Sequence, residues 1–280
     1  MKKFNVGLVG YGKMGKIYIK EINKNKNFKV IEILRHKNFK KETNIIKKFF
    51  NSKKINLFII SSPIRTHFKY LKYAYKAKKN IIVEKPLVEN LSQLNKLIKI
   101  NKNFSKKIMI HHNDVLNFEK LRIAKKINNN ANIKRVEMSY GKNEIVNKYK
   151  DPFIDWLPHP LAIIVNFFNK IKKFKILNYS RSLKKKIVKE KLRIVFDLQN
   201  FKIFLNFSNN FNSPQKKIII YKKNRNLFYD GYEKKNQKSV KLLLKKFNKI
   251  SRINDVNSNV KVYELLFQIK KLLKKRKFNF

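Results

Sequence analysis

The sequence predicts an α/β protein: an N-terminal doubly wound parallel sheet, then an α+β domain built on a mostly antiparallel open sheet. Three observations carry this. Short apolar runs alternate with helical patterns up to about residue 112; the rhythm then changes, and from Phe174 on apolar runs follow one another without helices between them. The 280 residues, 43% hydrophobic and 13% aromatic, are enough for two cores of ordinary size. We therefore expect domains at residues 1–115 and 116–280, with no internal repeat and no long linker.

The elements follow in order. Phe4 to Gly10 is an apolar run ending in a glycine turn, as a buried parallel strand does. Lys13 to Asn23 sets Met14, Ile17, Tyr18 and Ile22 on one helical face. Strands are expected at Phe28 to Leu34, Asn56 to Ser61, Asn80 to Val83 and Lys107 to Ile110. Helices at Ile45 to Phe50, His67 to Ala77 and Ser92 to Ile100 lie between them. In the second half, helices are expected at Asn117 to Ile127 and Pro160 to Phe168, and a strand at Ile133 to Tyr140. Further strands follow at Phe174 to Tyr179, Leu192 to Leu198, Lys202 to Phe207, Lys216 to Tyr221 and Leu227 to Tyr229, with a hairpin turning at Gln199-Asn200. Val260 to Leu273 closes the pattern as an amphipathic helix.

The formal charge of +52 invites a nucleic-acid reading. The lysines, however, are spread over almost every element beside a similar excess of Asn and Ile. Biased A/T-rich coding produces that composition without selection for a polyanion, so no specific nucleic-acid partner is expected. There is no cysteine, hence no disulfide framework and no thiolate zinc site. No apolar run reaches the length of about 18 residues that a membrane helix needs. Met1-Lys2-Lys3 before an apolar stretch resembles a secretion signal, but Gly10, Gly12 and Lys13 break the stretch and no small-residue cleavage site follows. A cytoplasmic protein is the expectation.

Gly10-Tyr11-Gly12-Lys13-Met14-Gly15 directly follows a strand and opens a helix. In that context Gly10 permits a tight turn, Gly12 lets backbone approach a pyrophosphate, and Gly15 lets helix and strand pack closely. The turn predicts a Rossmann dinucleotide site, with Lys13 and Met14 at the phosphate end of the helix. About 20 residues on, an acid would bind the adenosine ribose. The strand instead ends Leu34-Arg35-His36-Lys37. Arg35, with Lys37, suits a 2′-phosphate, so the cofactor is NADP or NAD with NADP favoured.

Ile60-Ser61-Ser62-Pro63, Thr66-His67 and Ile81-Ile82-Val83-Glu84-Lys85-Pro86 then follow one another, and Asp155-Trp156-Leu157-Pro158-His159 stands in the second half. These segments resemble the Gfo/Idh/MocA (glucose–fructose oxidoreductase/inositol dehydrogenase) family, with its Glu-Lys-Pro and Asp-x-x-x-His motifs. The resemblance covers essentially the whole chain. It implies an NAD(P)-dependent oxidoreductase acting on a CH–OH group of a sugar, sugar nucleotide or cyclitol. It also implies a cis Lys85–Pro86 bond, with Lys85 beside the nicotinamide, and a dimer or tetramer assembled through the open sheet. Ser61, Ser62, Pro63, His67 and Glu84 are then cofactor contacts.

His159 is the candidate acid–base, since an imidazole exchanges protons near neutral pH. Lys85 would hydrogen-bond the reacting oxygen. Asp155, one helical turn from His159, would orient substrate or His159, although an acid there also suits a helix N-cap. The resemblance departs in two places. Asp151-Pro152-Phe153 stands where glycines commonly precede the Asp-x-x-x-His motif, and His111 to Phe118 lacks the family's usual Arg and Pro. These departures bear on the substrate. His111, His112 and Asn113, at the carboxyl end of a strand, are candidate substrate contacts, and no ligand set for a metal accompanies them. The Asp155-to-Pro160 segment is similar to members acting in surface-polysaccharide and nucleotide-sugar metabolism. A non-catalytic, regulatory nucleotide-binding role is the alternative.

Overall fold

The computed structural model describes residues 3–35, 43–121, 123–127, 132–143, 146–147, 151–168, 171–184, 187–232, 239–249 and 255–275. The chain forms two compact units, Met1–His112 with Val240–Val260, and Asn113–Ser239 with Lys261–Phe280.

In the first unit β1 (Phe4–Val9), α1 (Lys13–Asn23), β2 (Phe28–Leu34), α2 (Thr43–Asn51), β3 (Leu57–Ile60), α3 (Ile64–Lys76), β4 (Asn80–Glu84), α4 (Leu91–Asn101) and β5 (Ile108–His111) alternate as expected. The sheet runs β2-β1-β3-β4-β5 with every pair parallel. Helical crossovers are what parallel pairing requires, and they explain why β3 and β5 are buried along their whole length. The Phe49, Phe50 and Phe58 rings interlock beneath the sheet. Asn90 starts α4, its side chain accepting from the Gln93 amide at 2.9 Å.

The second unit begins with α5 (Asn113–Lys120) and α6 (Ile123–Lys126), then β6 (Ile133–Gly141) and β7 (Val146–Asn147), then α7 (Pro152–Trp156) and α8 (Pro158–Phe167). Strands β8 (Lys173–Lys184), β9 (Ile187–Asp197), β10 (Lys202–Ser208), β11 (Gln215–Lys222) and β12 (Leu227–Asp230) complete it. Its sheet runs β12-β11-β6-β10-β9-β7, with β8 paired to β9. Among the described residues β6 and β10 run parallel, and the other pairs are antiparallel. The hairpin turns at Gln199-Asn200 as expected, pairing Asp197 with Lys202.

Several boundaries differ from the sequence reading. The helix expected at Asn117 starts at Asn113 and gives way after Lys120 to a separate turn, α6. The short α7 went unpredicted, although Asp151 and Pro152 form a helix-start signal. The Asp151 carboxylate accepts from the amides of Phe153 (2.9 Å) and Ile154 (3.3 Å), and Pro152 occupies the first turn, where an amide has no helical partner. The strands expected at Phe174 to Tyr179 and Leu192 to Leu198 fall at the end farthest from the turn of one longer antiparallel pair, Lys173–Lys184 with Ile187–Asp197. Charged outward residues masked its alternation.

Helix α9 (Ser239–Lys249) is also new, with Val240, Leu243, Leu244 and Phe247 on its buried face. It and the first residues of α10 (Asp255–Lys275) join the first unit rather than the second, where residues 116–280 were expected together. The contacts explain this. Phe247 packs edge-on against Phe4 at 5.4 Å. The buried Lys107 donates through Nζ to the Phe247 carbonyl at 3.0 Å. Asp255 Oδ2 accepts the Ile110 amide of the outermost strand at 3.0 Å, and Asn257 Oδ1 accepts from Asn101 at 2.7 Å. Among the described residues no helix is long and apolar enough to cross a membrane.

In β9, Glu190 is buried with one oxygen accepting from Tyr179 Oη at 3.0 Å and lying 3.5 Å from Arg181 Nε. Burial, reinforced by the charge of Asp151, pushes its carboxyl up to about 7 against the pull of Tyr179 and Arg181. Between the unfolded value of 4.5 and that folded value, the native state keeps a proton that the unfolded chain has released. Stability therefore falls as pH rises through this window. Glu190→Gln should flatten the pH dependence of chemical denaturation there and stabilise the protein above it by about 3 kcal/mol. A variant that retained the wild-type slope would refute this.

Candidate active site

The turn after β1 brings three glycines together for three different reasons. Gly10 has φ +95°, a conformation open to glycine, and its amide donates to the Leu34 carbonyl at 2.9 Å. A Cβ on Gly15 would lie 2.4 Å from the Gly10 carbonyl oxygen, so α1 approaches the turn as closely as backbone allows. A Cβ on Gly12 would meet nothing within 4 Å. Gly12 caps α1 without any side-chain hydrogen bond, and no acid occupies the helix's first turn. Open space over uncapped amides is what a bound pyrophosphate requires, and these residues fit the dinucleotide. Lys13 is exposed and Met14 half-buried at the same helix start.

Arg35, the first residue past β2, stacks its guanidinium over the Tyr11 ring with 4.3 Å to the centroid. His36 and Lys37 lie outside the described residues. Ser61 Oγ donates toward the carbonyls of Val9 (3.2 Å) and Gly10 (3.3 Å), tying the end of β3 to the glycine turn. Ser62 Oγ is 2.7 Å from Thr66 Oγ1, and Pro63 leads into α3.

Two of the expected cofactor contacts, His67 and Glu84, are held by partners within the protein. The His67 ring is buried, with Nδ1 2.8 Å from the Pro86 carbonyl and Nε2 2.7 Å from the Ser62 carbonyl. Burial lowers its pKa against the pull of those carbonyls. The ring lies between the segment after β3 and the segment after β4, and the N–H of a neutral ring donates to one of the two carbonyls. Glu84 is buried at the end of β4, 2.6 Å from His111 Nδ1 and accepting from Tyr18 Oη at 2.9 Å. Burial alone would raise its carboxyl, but His111, Tyr18 and Lys85 together hold it below the usual carboxylate range. His111 therefore belongs to this buried group. Lys85 follows at once, half-buried, and its bond to Pro86 is cis.

In the second unit His159 lies in the first turn of α8, between Pro158 and Pro160. Both prolines are tolerated there because first-turn amides lack helical acceptors. Asp155 is half-buried on α7, and Leu157 separates the two helices. The N-cap of α7 is Asp151, so Asp155 is released from that structural duty.

The acid beside His159 is Asp114, which the sequence reading passed over. Asp114 Oδ2 lies 2.9 Å from His159 Nδ1 and 3.3 Å from Lys216 Nζ, while Oδ1 accepts from Tyr229 Oη at 3.0 Å. Asp114 is 1% exposed and His159 7%. Burial alone would raise the Asp114 carboxyl, yet Lys216, His159 and Tyr229 hold it well below the usual carboxylate range. Trp156 packs beside His159 at 5.9 Å between ring centroids, with Lys142 and Lys216 near its face. Asp114 is placed by the start of α5, where Asn113 Oδ1 accepts its amide at 3.0 Å. The buried His112 donates its backbone amide to Ile110. Among the described residues no group of three or more His, Asp or Glu side chains is placed to hold a metal.

Residues 4–112 match the GFO_IDH_MocA model, an oxidoreductase family with an NAD-binding Rossmann fold. The uncharacterized oxidoreductase YdgJ of Escherichia coli (strain K12) is 36% identical over 67 residues, which are 24% of this chain and 19% of that protein. The match thus spans about a fifth of that relative's length. Among solved structures, the UDP-N-acetylglucosamine 3-dehydrogenase GnnA from Acidithiobacillus ferrooxidans superposes with a TM-score of 0.77 at 13% identity, covering 96% of this chain and 97% of that one. A biliverdin reductase from Synechocystis sp. PCC 6803, solved with biliverdin and NADP+, gives 0.73 at 11% identity, covering 96% and 98%. At such identities the likeness is one of fold.

Proposed function

We propose that this chain, whose residues 4–112 match the GFO_IDH_MocA oxidoreductases with their NAD-binding Rossmann fold, carries out a reaction of that family. In this reading the protein interconverts a secondary alcohol and a ketone on a sugar, sugar nucleotide or cyclitol. The observation that carries it is the open space at Gly12, set between a turn that only glycine fits easily and a helix start without a cap. When bound, the nicotinamide cofactor accepts or returns the hydride. His159 takes the hydroxyl proton as the carbon–hydrogen bond breaks, and returns it in the reverse direction. Lys85 donates a hydrogen bond to the same oxygen and stabilises the negative charge that develops on it. Asp155 orients the substrate. His112 and Asn113 lie at the carboxyl edge of the parallel sheet, where substrate is bound in open α/β folds.

The Tyr11–Arg35 stack and the missing acid after β2 support NADP over NAD, with Arg35 on the 2′-phosphate. We further propose a cytoplasmic homo-oligomer, a dimer or tetramer, serving nucleotide-sugar or surface-polysaccharide synthesis. The test is a screen of the purified protein with NADPH, NADH and their oxidised forms. The panel comprises sugars, cyclitols, nucleotide sugars and their keto derivatives, followed by nicotinamide absorbance. NADPH should bind more tightly than NADH, and Arg35→Asp should reverse the order. On the substrate found, His159→Asn should lower turnover by about 10²–10⁴-fold. Tight cofactor binding with no turnover on any class would instead support the regulatory reading.

A further inference from the structure

The charge arrangement around His159 points to a device absent from the motif that identified it. We propose that Asp114 is a positioning residue, which holds the His159 ring by Nδ1 and favours its charged form, while Lys216 opposes it from the same carboxylate oxygen. This rests on the reading of His159 as the acid–base.

The geometry is specific. His159 Nδ1 at 2.9 Å and the Lys216 ammonium at 3.3 Å converge on one oxygen of a buried carboxylate, and the Tyr229 hydroxyl donates to the other. An ionised carboxylate this deeply buried is costly unless it is paired and hydrogen-bonded, and three partners from three elements supply that here. Asp114 comes from α5, His159 from α8, Lys216 from β11 and Tyr229 from β12. With Nδ1 turned toward Asp114, Nε2 is the ring nitrogen that exchanges a proton with substrate.

The electrostatics are reciprocal. Because the charge on His159 helps to keep Asp114 ionised, the Asp114 charge must favour protonated His159 by the same coupling. Lys216 acts with the opposite sign, since it repels an imidazolium and competes for Oδ2. Tyr140 of β6 feels the Asp114 charge, together with Tyr229, Asp230 at the end of β12 and Tyr232. Tyr140 is wholly buried and its phenol is raised well above the ordinary range, first by burial and then by Asp114, so it stays neutral. Lys142 stands over Trp156, which packs beside the His159 ring, and Asp155 lies on α7, four residues before His159 in sequence. A purely structural account would make Asp114 the counterion of one buried lysine, with the imidazole a bystander. A bystander ring would keep its midpoint when either charge is removed, whereas a coupled ring moves in opposite directions in the two variants.

The test follows the histidine ring resonances of isotope-labelled full-length protein by NMR against pH, with His159 assigned by its loss in His159→Asn. Asp114→Asn should move the His159 midpoint to lower pH, an about tenfold loss of proton affinity. Lys216→Met should move it to higher pH. Midpoints that stay fixed, or that move in the same direction in both variants, would overturn the proposal. If Asp114→Asn does not fold, Lys216→Met decides alone, and an unmoved midpoint sinks the idea. On the substrate found by the screen, the acid limb of the kcat/KM profile should follow the ring midpoint in each variant. Ring midpoints that shift as stated while the kinetic profile stands still would uphold the Asp114–His159 coupling and remove His159 as the acid–base.

Discussion

Gly12→Val should fold with a melting temperature within a few degrees of the wild type, yet bind NADPH and NADH at least about a hundredfold more weakly. The first half follows from local geometry. Gly12 has φ −79° and ψ −162°, extended values that any L-residue adopts, and a Cβ there touches nothing. A valine at a helix N-cap costs on the order of 1 kcal/mol, which is about 2–4 °C for a chain of this size. The second half follows from where the new methyl groups stand, over the helix-start amides that should meet the pyrophosphate. Losing that approach by even about 2.7 kcal/mol is a hundredfold in affinity. Gly15→Ala provides the contrast. Its Cβ would lie 2.4 Å from a backbone oxygen, so that variant should lose stability as well as binding. Fluorescence titration of both cofactors, beside thermal unfolding of each variant, separates the two effects. Wild-type affinity in Gly12→Val would mean that the pyrophosphate does not sit at this turn.

Lys85→Met should do the reverse, leaving cofactor affinity within about threefold while lowering turnover by about 10³-fold. The side chain is set at the end of β4 by a segment held from both sides. Glu84 before it is locked by His111 and Tyr18, and the Pro86 carbonyl after it is held by His67. Methionine keeps the length of the stem and removes the ammonium, so this support should survive. In the proposed role, what disappears is the donor to the reacting oxygen, whose contribution is felt when negative charge develops there. Steady-state kinetics on the identified substrate should show the loss in kcat, with little change in the dissociation constant of NADPH. Unchanged turnover would take Lys85 out of the chemistry.

The parallel half of the fold was readable because its inner strands are short apolar runs, Leu57–Ile60 and residues 81–83, set between helical patterns. The second sheet was harder. In β9 the inward residues Val188, Glu190 and Leu192 alternate with lysines and an arginine, and one of the inward three is a carboxylate. That blunts the period on which a strand is recognised. Helix α9 carries Leu243, Leu244 and Phe247 at helical spacing, but short lysine-rich stretches of this kind recur along the chain.

The site divides in the same way. Gly10, Gly12, Gly15, Lys85 and His159 stand in short contiguous motifs, where spacing carries meaning. Asp114 lies 45 positions before His159, and Lys216 is one basic residue among 69. Only tertiary folding unites them. One local signal for Asp114 did exist, an acid in the first turn of a helix directly after a strand. It is shared by many residues that merely favour a helix start.

The order in which the chain is made gives the edge strand β5 a distinct history. Its Ile110 amide is satisfied by Asp255, which follows 145 residues later. At roughly 5–20 residues per second, the ribosome delivers that carboxylate some 7–30 seconds after the strand itself emerges. Through that interval the parallel sheet has an open side, and Phe4 and Lys107 await Phe247. A nascent N-terminal half is therefore a natural client for chaperones and a poor candidate for expression by itself, because unpaired strand edges recruit other chains. The late segment works as a clasp, and maturation of the nucleotide-binding unit ends only when it arrives.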